Sequence, residues 1–279
     1  MIVRARLRST VGSIHHAKAS NRPYMMNVSL RQDLITRHSH QQRLAVAHGL
    51  ADAIRARHGD SVVAIVVVGS TAVGSDGPFS DLDVTAVTRE DLGNHSKCYP
   101  CEGLQINLDY QTVQESFDEA REPHGGGCWL SCIPLYDPSG LTRELASAYK
   151  TIGPEACRAA FVRVIRDDLS SALGKARNAA LASDRASFVA ALCAFSQAAC
   201  RALCMLNANR AVTGNARLIA EAKSLPILPP HFSELIDVIS GVVPSSDQVM
   251  YDSAEGLWSG LIGIIEELGL QWDEPDLLP

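Results

Sequence analysis

The segment Val62-Val63-Ala64-Ile65-Val66-Val67-Val68 constrains this chain more than any other: seven apolar residues in a row, all but Ala64 β-branched, closed by Gly69-Ser70. A run this short and this unbroken predicts a strand buried on both faces. Breakers follow in Gly74-Ser75-Asp76-Gly77-Pro78, and then Leu82, Val84, Ala86 and Val87 mark a second strand. From Leu104 to Tyr110 the polar Gln105, Asn107 and Asp109 alternate with Ile106, Leu108 and Tyr110, which predicts a third strand with one polar face. Upstream, Leu44, Val46, Ala47, Leu50, Ala51 and Ile54 recur at near-helical spacing between about Thr36 and Arg57, a helix suited to covering a sheet.

The character changes after Ile133-Pro134-Leu135-Tyr136-Asp137-Pro138-Ser139-Gly140. Helical periodicity then predicts segments near 154–181, 185–207, 216–224, 231–239 and 248–268, interrupted by Pro226 to Pro230 and Pro244. The expected fold class is an α/β N-terminal domain, a mixed sheet with flanking helices, joined to an all-α helical bundle. The expected boundaries are a loosely ordered extension at 1–30, the α/β domain at 31–150 and the helical domain at 151–279. His124-Gly125-Gly126-Gly127 reads as a bend before a strand and not as a phosphate loop, since no helix start follows it.

Composition narrows the classes. With 46% hydrophobic and 20% charged residues in 279, the chain can bury one or two ordinary cores. A net charge of −6 and the lack of a long basic run argue against a nucleic-acid partner and suit a cationic small molecule. No run is read as approaching the roughly 20 apolar residues that cross a bilayer, and the first residues lack a signal peptide's apolar segment, so a cytoplasmic protein without a membrane partner is expected. Of eight cysteines, Cys193, Cys200 and Cys204 fall in one apolar helical pattern and read as reduced, buried thiols. Cys98 and Cys101, with Cys128 and Cys132, have the wrong spacing for a zinc site and no suitable histidine.

The chemistry centres on Gly69-Ser70, ten intervening residues, and Asp81-Leu82-Asp83. Period-two geometry turns both carboxylates to one face of a strand, and magnesium favours one or two carboxylates completed by water and substrate phosphates. The glycine allows backbone to approach a phosphate, and Ser70 adds a hydroxyl and an N–H.

A buried strand, Gly-Ser, a breaker-rich turn, Asp-x-Asp and a later strand with another carboxylate resemble the DNA polymerase β-like nucleotidyltransferase superfamily. Val68-Gly69-Ser70 through Asp76-Gly77-Pro78-Phe79-Ser80-Asp81-Leu82-Asp83 is similar to the aminoglycoside 4′-nucleotidyltransferase family, which is kanamycin nucleotidyltransferase-like. Ile133-Pro134-Leu135-Tyr136-Asp137, Gly174-Lys175 and Arg177-Asn178 carry the similarity onward, over roughly Leu34 to Leu270. The resemblance implies Mg²⁺ and ATP, or another nucleoside triphosphate, as cofactor and co-substrate. It further implies in-line transfer of AMP to a hydroxyl, the 4′ hydroxyl of an aminoglycoside antibiotic, and a homodimer with the active site between protomers.

The implied catalytic residues are Asp81, Asp83, Asp109 and Asp168, with Asp81, Asp83 and Asp109 on the metal and Gly69, Ser70, Ser80 and Lys175 on the nucleotide. Asp168, Ser171, Lys175 and Asn178 form one polar helical stripe, which without the resemblance reads as a solvated face. The chain departs from the family at three positions. Ser171 stands where the family has its glutamate general base, leaving Asp167 or Asp168 for that role. Gln105 stands at the third-carboxylate position, with Asp109 four residues on along the same face. Val73 replaces an arginine of the phosphate loop.

Asp167, Glu102 and Gln105 are candidates for holding the substrate, and Asp118, Glu119 and Glu122 are further acids for a polycationic sugar. Two rival functions are nucleotidyl transfer to a lincosamide or another small hydroxylated acceptor, and a catalytically idle nucleotide-binding module.

Overall fold

The computed structural model describes residues 35–93, 96–123, 125–207 and 217–271. The expected extension at 1–30 lies outside the described residues. Helix α1 (His40–His58) begins where Ser39 accepts from the Gln42 amide and the Gln42 side chain answers the Ser39 amide, a capping box that satisfies two donors at the helix start. It ends at Gly59, whose φ of +53° suits a residue without Cβ.

Strand β1 (Val62–Val68) follows the predicted run residue for residue, and a single helical turn, α2 (Gly69–Ala72), leaves it at once. Strands β2 (Leu82–Thr88), β3 (Ser96–Cys101), β4 (Leu104–Thr112) and β5 (Ile133–Tyr136) complete a mixed sheet ordered β3-β4-β2-β1-β5. Strand β2 runs antiparallel to β1 and parallel to β4, with Asp83 opposite Asn107 and Thr85 opposite Asp109. The two edges are β3, absent from the sequence reading, and β5, which begins at Ile133 beyond a 3-10 turn at Gly126–Leu130 and not directly after the glycines as expected; each contains a proline, Pro100 and Pro134. A proline disrupts the strand pattern and is tolerated where one side of the ladder has no neighbour.

Both faces of β1 are buried, as its unbroken pattern requires. Ile65 and Val67 join Ala47, Ala51 and Ile54 of α1 and the apolar faces of β2 and β4. Ala64 and Val66 face a second cluster with Trp129, Leu141 and Leu145. That cluster is closed by α3 (Val113–Ala120), a 3-10 turn at Gly126–Leu130, and α4 (Leu141–Lys150). The polar positions of β2 and β4 therefore lie on the face turned away from α1, beside these elements.

From residue 154 the described residues form helices joined by turns. Helix α5 (Pro154–Val164) runs through a wide π turn at Ile165–Leu169 into α6 (Ser170–Leu181), and α7 (Arg185–Leu206) packs along both. Helices α8 (Leu218–Ala222), α9 (Phe232–Ile239) and α10 (Asp247–Glu267) complete this core. Helix α7 corrects one expectation: it is long and apolar enough to cross a membrane by length and composition. Its Phe188, Leu192, Phe195, Ala199 and Leu203 are nonetheless buried against the neighbouring helices, so its apolarity is that of a helix packed on several sides.

Candidate active site

The turn leaving β1 has little room. Gly69 has a φ of +67°, and a Cβ placed there would fall on the Asp83 carboxylate, so only glycine lets the strand end bend past the acid. The amides of Val73, Gly74 and Ser75 bond back to the carbonyls of Gly69, Thr71 and Ser70, closing the turn. Val73, at the position of the missing family arginine, is exposed.

Asp81 and Asp83 share a face, as the period-two argument requires. The Asn107 amide nitrogen on β4 donates to Asp81 Oδ2 and to Asp83 Oδ1, each at 2.9 Å. Asp83 is held above the ordinary carboxylate range chiefly by burial, opposed by the Asn107 hydrogen bond and reinforced by the charges of Asp81 and Asp109. Asn107 was visible in the sequence only as a polar position on β4, and nothing there singled it out as the bridge between the two acids.

Asp109 stands opposite Thr85, one inward-facing position beyond Asp83, and its negative charge reaches both Asp83 and Glu119. Among the described residues, no three His, Cys, Asp or Glu side chains gather closely enough to hold a metal by themselves. Glu119 on α3 is partly buried, accepts from Gln111 at 3.0 Å, and is pushed above the usual carboxylate range, first by burial.

The remaining sequence candidates are spread around this face. The Ser80 hydroxyl accepts from the Gly77 amide at 2.9 Å and closes the turn before β2. Gln105 donates to Cys98 Sγ across the β3–β4 ladder. Glu102, at φ +52°, forms with Gly103 the two-residue turn of that hairpin. Asp118 pairs with Arg121 and Glu122 with Arg163, both at the surface.

Sequence reasoning missed Arg43. Its side chain is 1% exposed and donates to Ser80 O, His38 O, Gly77 O and Asp76 Oδ2, at 2.7 to 3.0 Å. The Asp76 side chain, 2% exposed, also meets His40 Nδ1 at 2.8 Å. The signal was present as an arginine on the apolar stripe of α1, but a single charge at such a position usually reaches outward.

The polar stripe of the helical half lines a groove of about 270 Å³. Asp167, Asp168, Ser171, Ala172 and Lys175 form one wall, and Ala191, Ala194, Ala198 and Arg201 of α7 form the other. The π turn carries Asp167 and Asp168; such turns insert a residue and reorient side chains. Asp167 is held by the Arg166 guanidinium, which lowers its pKa, whereas the side chains of Asp168, Lys175 and Arg201 have no hydrogen-bond or ion-pair partner among the described residues. Asn178 continues the stripe but does not line the groove.

Residues 139–271, which contain every residue of this groove, match the KNTase C-terminal domain family. Over 245 residues the chain is 24% identical to an aminoglycoside nucleotidyltransferase (4′) of Staphylococcus aureus, an alignment covering 86% of this chain and 96% of that protein. A protein of the same name from a Bacillus species aligns equally well. Over its helical half the chain is thus similar to the KNTase C-terminal domain, and over most of its length to proteins named aminoglycoside nucleotidyltransferase (4′). A nucleotidyltransferase-like protein from Exiguobacterium sibiricum superposes with a TM-score of 0.47 at 11% identity, covering 80% of this chain and 77% of that one. The kanamycin nucleotidyltransferase-like resemblance expected from Gly69-Ser70, Asp81 and Asp83 thus extends to the helical half, where Lys175 and Asp168 sit in the matched region.

Proposed function

We propose that the protein is a Mg²⁺-dependent nucleotidyltransferase that moves AMP from ATP onto an aminoglycoside hydroxyl, the 4′ hydroxyl, and so confers antibiotic resistance. The observation that carries this reading is the convergence of Asp81 and Asp83 beside Gly69, where an added Cβ would fall on the Asp83 carboxylate. The names of the relatives supply the acceptor class.

The donor set fits a hard divalent cation: two carboxylates on one face, completed by substrate phosphates, suit Mg²⁺ better than a soft or strictly tetrahedral ion. Asp81 and Asp83 would hold it, and when bound it would neutralise charge on the reacting phosphates. Gly69 and Ser70 admit phosphate oxygens to the backbone at the end of β1, with Ser80 shaping the approach. Asp109 adds negative charge along the same face and serves as the further acid. Lys175 offers a positive donor to the phosphate chain and Asp168 a proton acceptor for the sugar hydroxyl. In this reading the helical groove of one protomer completes the acid face of another in a homodimer, and the boundary near residue 150 separates the two contributing domains. Asp167, Gln105 and Glu102 border the acceptor. The enzyme works in the cytoplasm, where ATP and the antibiotic meet.

Pyrophosphate release from ATP and Mg²⁺, with kanamycin or tobramycin as acceptor, tests this directly. Acceptor-dependent release that Asp83→Ala abolishes is the expected result. Release with lincosamides and not with aminoglycosides would overturn the acceptor, and nucleotide binding without turnover on any acceptor would overturn the activity.

A further inference from the structure

The two acids are fixed by different means. Asp83 lies inside the sheet, opposite Val68 on one side and Asn107 on the other. Asp81 lies one residue before β2 and outside both ladders, so backbone pairing does not place it. Immediately before it stands Ser80, whose carbonyl takes the Arg43 Nε at 3.0 Å. The same guanidinium holds Gly77 O at 2.7 Å and the Asp76 carboxylate at 2.9 Å, and the His38 amide donates to Pro78 O. The loop from Asp76 to Ser80 contributes no apolar side chain to the core, and its Phe79 is 57% exposed. A buried ion pair is weak evidence for stability, because removing two charges from water offsets much of their attraction. Its geometric effect is specific: a planar fork with several donors fixes a loop in a way that a point charge does not.

We propose that Arg43, braced by Asp76, is a positioning residue that sets the separation of Asp81 from Asp83 and hence the affinity of the acid pair for a divalent cation. The inference rests on reading those acids as the reacting centre.

The test uses the full chain with Mn²⁺ as a paramagnetic probe. Arg43→Lys is compared with Ala51→Gly, a substitution on the same helix that loosens its packing on the sheet without touching the loop. Mn²⁺ affinity, kcat, acceptor KM and amide exchange at Asp81 and Leu82 are measured on folded protein. Arg43→Lys is expected to weaken Mn²⁺ binding about tenfold, to lower kcat on the order of 10²-fold with little change in acceptor KM, and to speed exchange at both amides. Ala51→Gly should lower the unfolding temperature and leave those readings near wild type. Wild-type Mn²⁺ affinity and exchange in Arg43→Lys, or equal losses in Ala51→Gly, would overturn the proposal. If Arg43→Lys does not fold, Asp76→Asn, which removes the brace's charge partner, takes its place with the same expected outcomes. Wild-type protein whose Mn²⁺ binding is indifferent to Asp83→Asn would instead refute the reading of the reacting centre, and the exchange comparison would still decide the brace.

Discussion

Asn107 stands within hydrogen-bond reach of both Asp81 and Asp83, so one neutral amide on β4 links an acid on β2 to the acid just before that strand. Its donation favours the ionised form of Asp83, against burial and the neighbouring acids, which push the pKa up. Asn107→Leu removes that donor, so the Asp83 pKa rises further and the carboxylate needs a higher pH to ionise. Mn²⁺ affinity in the variant should therefore fall more at pH 6 than at pH 8. An equal loss at both values would show that Asn107 acts by spacing the acids and not by charge stabilisation.

Gly69→Ala tests the close approach of backbone and acid. The substitution combines a left-handed φ with a Cβ that collides with the Asp83 carboxylate. A cost of about 1 to 3 kcal/mol is expected from the backbone conformation, with further loss where Asp83 is displaced. Pyrophosphate release should fall on the order of 10²-fold. Thermal unfolding and turnover measured together separate the two effects, and an active, stable variant would refute the role given to this glycine.

Glu119 gives a pH-dependent stability of definite sign. Its folded-state pKa is raised, mainly by burial, so the folded protein holds this proton more tightly than the unfolded chain does. The favourable contribution is present below the ordinary glutamate range and is lost as pH rises through the higher folded value. Glu119→Gln keeps a polar group beside Gln111 without the buried charge, and it should raise stability at pH 8 relative to wild type. Urea unfolding at pH 5 and pH 8 checks this: the variant's advantage should grow with pH, and an advantage confined to pH 5 would reverse the assignment.

Much of this arrangement was legible in the sequence. The β-branched run gave β1, alternation gave the polar face of β4, and the helical segments after residue 154 lie within a few residues of their predicted bounds. Edge strand β3 was not legible, and β5 only as a strand somewhere after the glycines, since Pro100 and Pro134 break the pattern that marks a strand and only a neighbouring strand supplies what they lack. Asp81 and Asp83 were read from local spacing. Asn107 and Arg43 were not, because the contacts that tie each to the acids or to the loop before them span 24 to 37 residues, a relation that exists only once β2, β4 and α1 are assembled.

Lys175 and Asp168 share the helical groove, and their neighbours distinguish the roles each is given. Asp167 already binds the Arg166 guanidinium, whose hydrogen bond lowers its pKa and makes it a poor proton acceptor. Asp168, one residue on and without such a partner, keeps its carboxylate available for a substrate hydroxyl. Asp168→Asn should lower kcat with the aminoglycoside by about 10² to 10⁴, the range for loss of a general base, while Asp167→Asn stays within about threefold of wild type. Lys175→Met, at an exposed position, should leave the unfolding temperature unchanged and raise the KM for ATP more than that for the acceptor. Steady-state kinetics with each substrate varied in turn decide both points. A large loss in Asp167→Asn with Asp168→Asn unaffected would move the base to Asp167, and losses in neither would mean that a water or the acid face of the sheet accepts the proton.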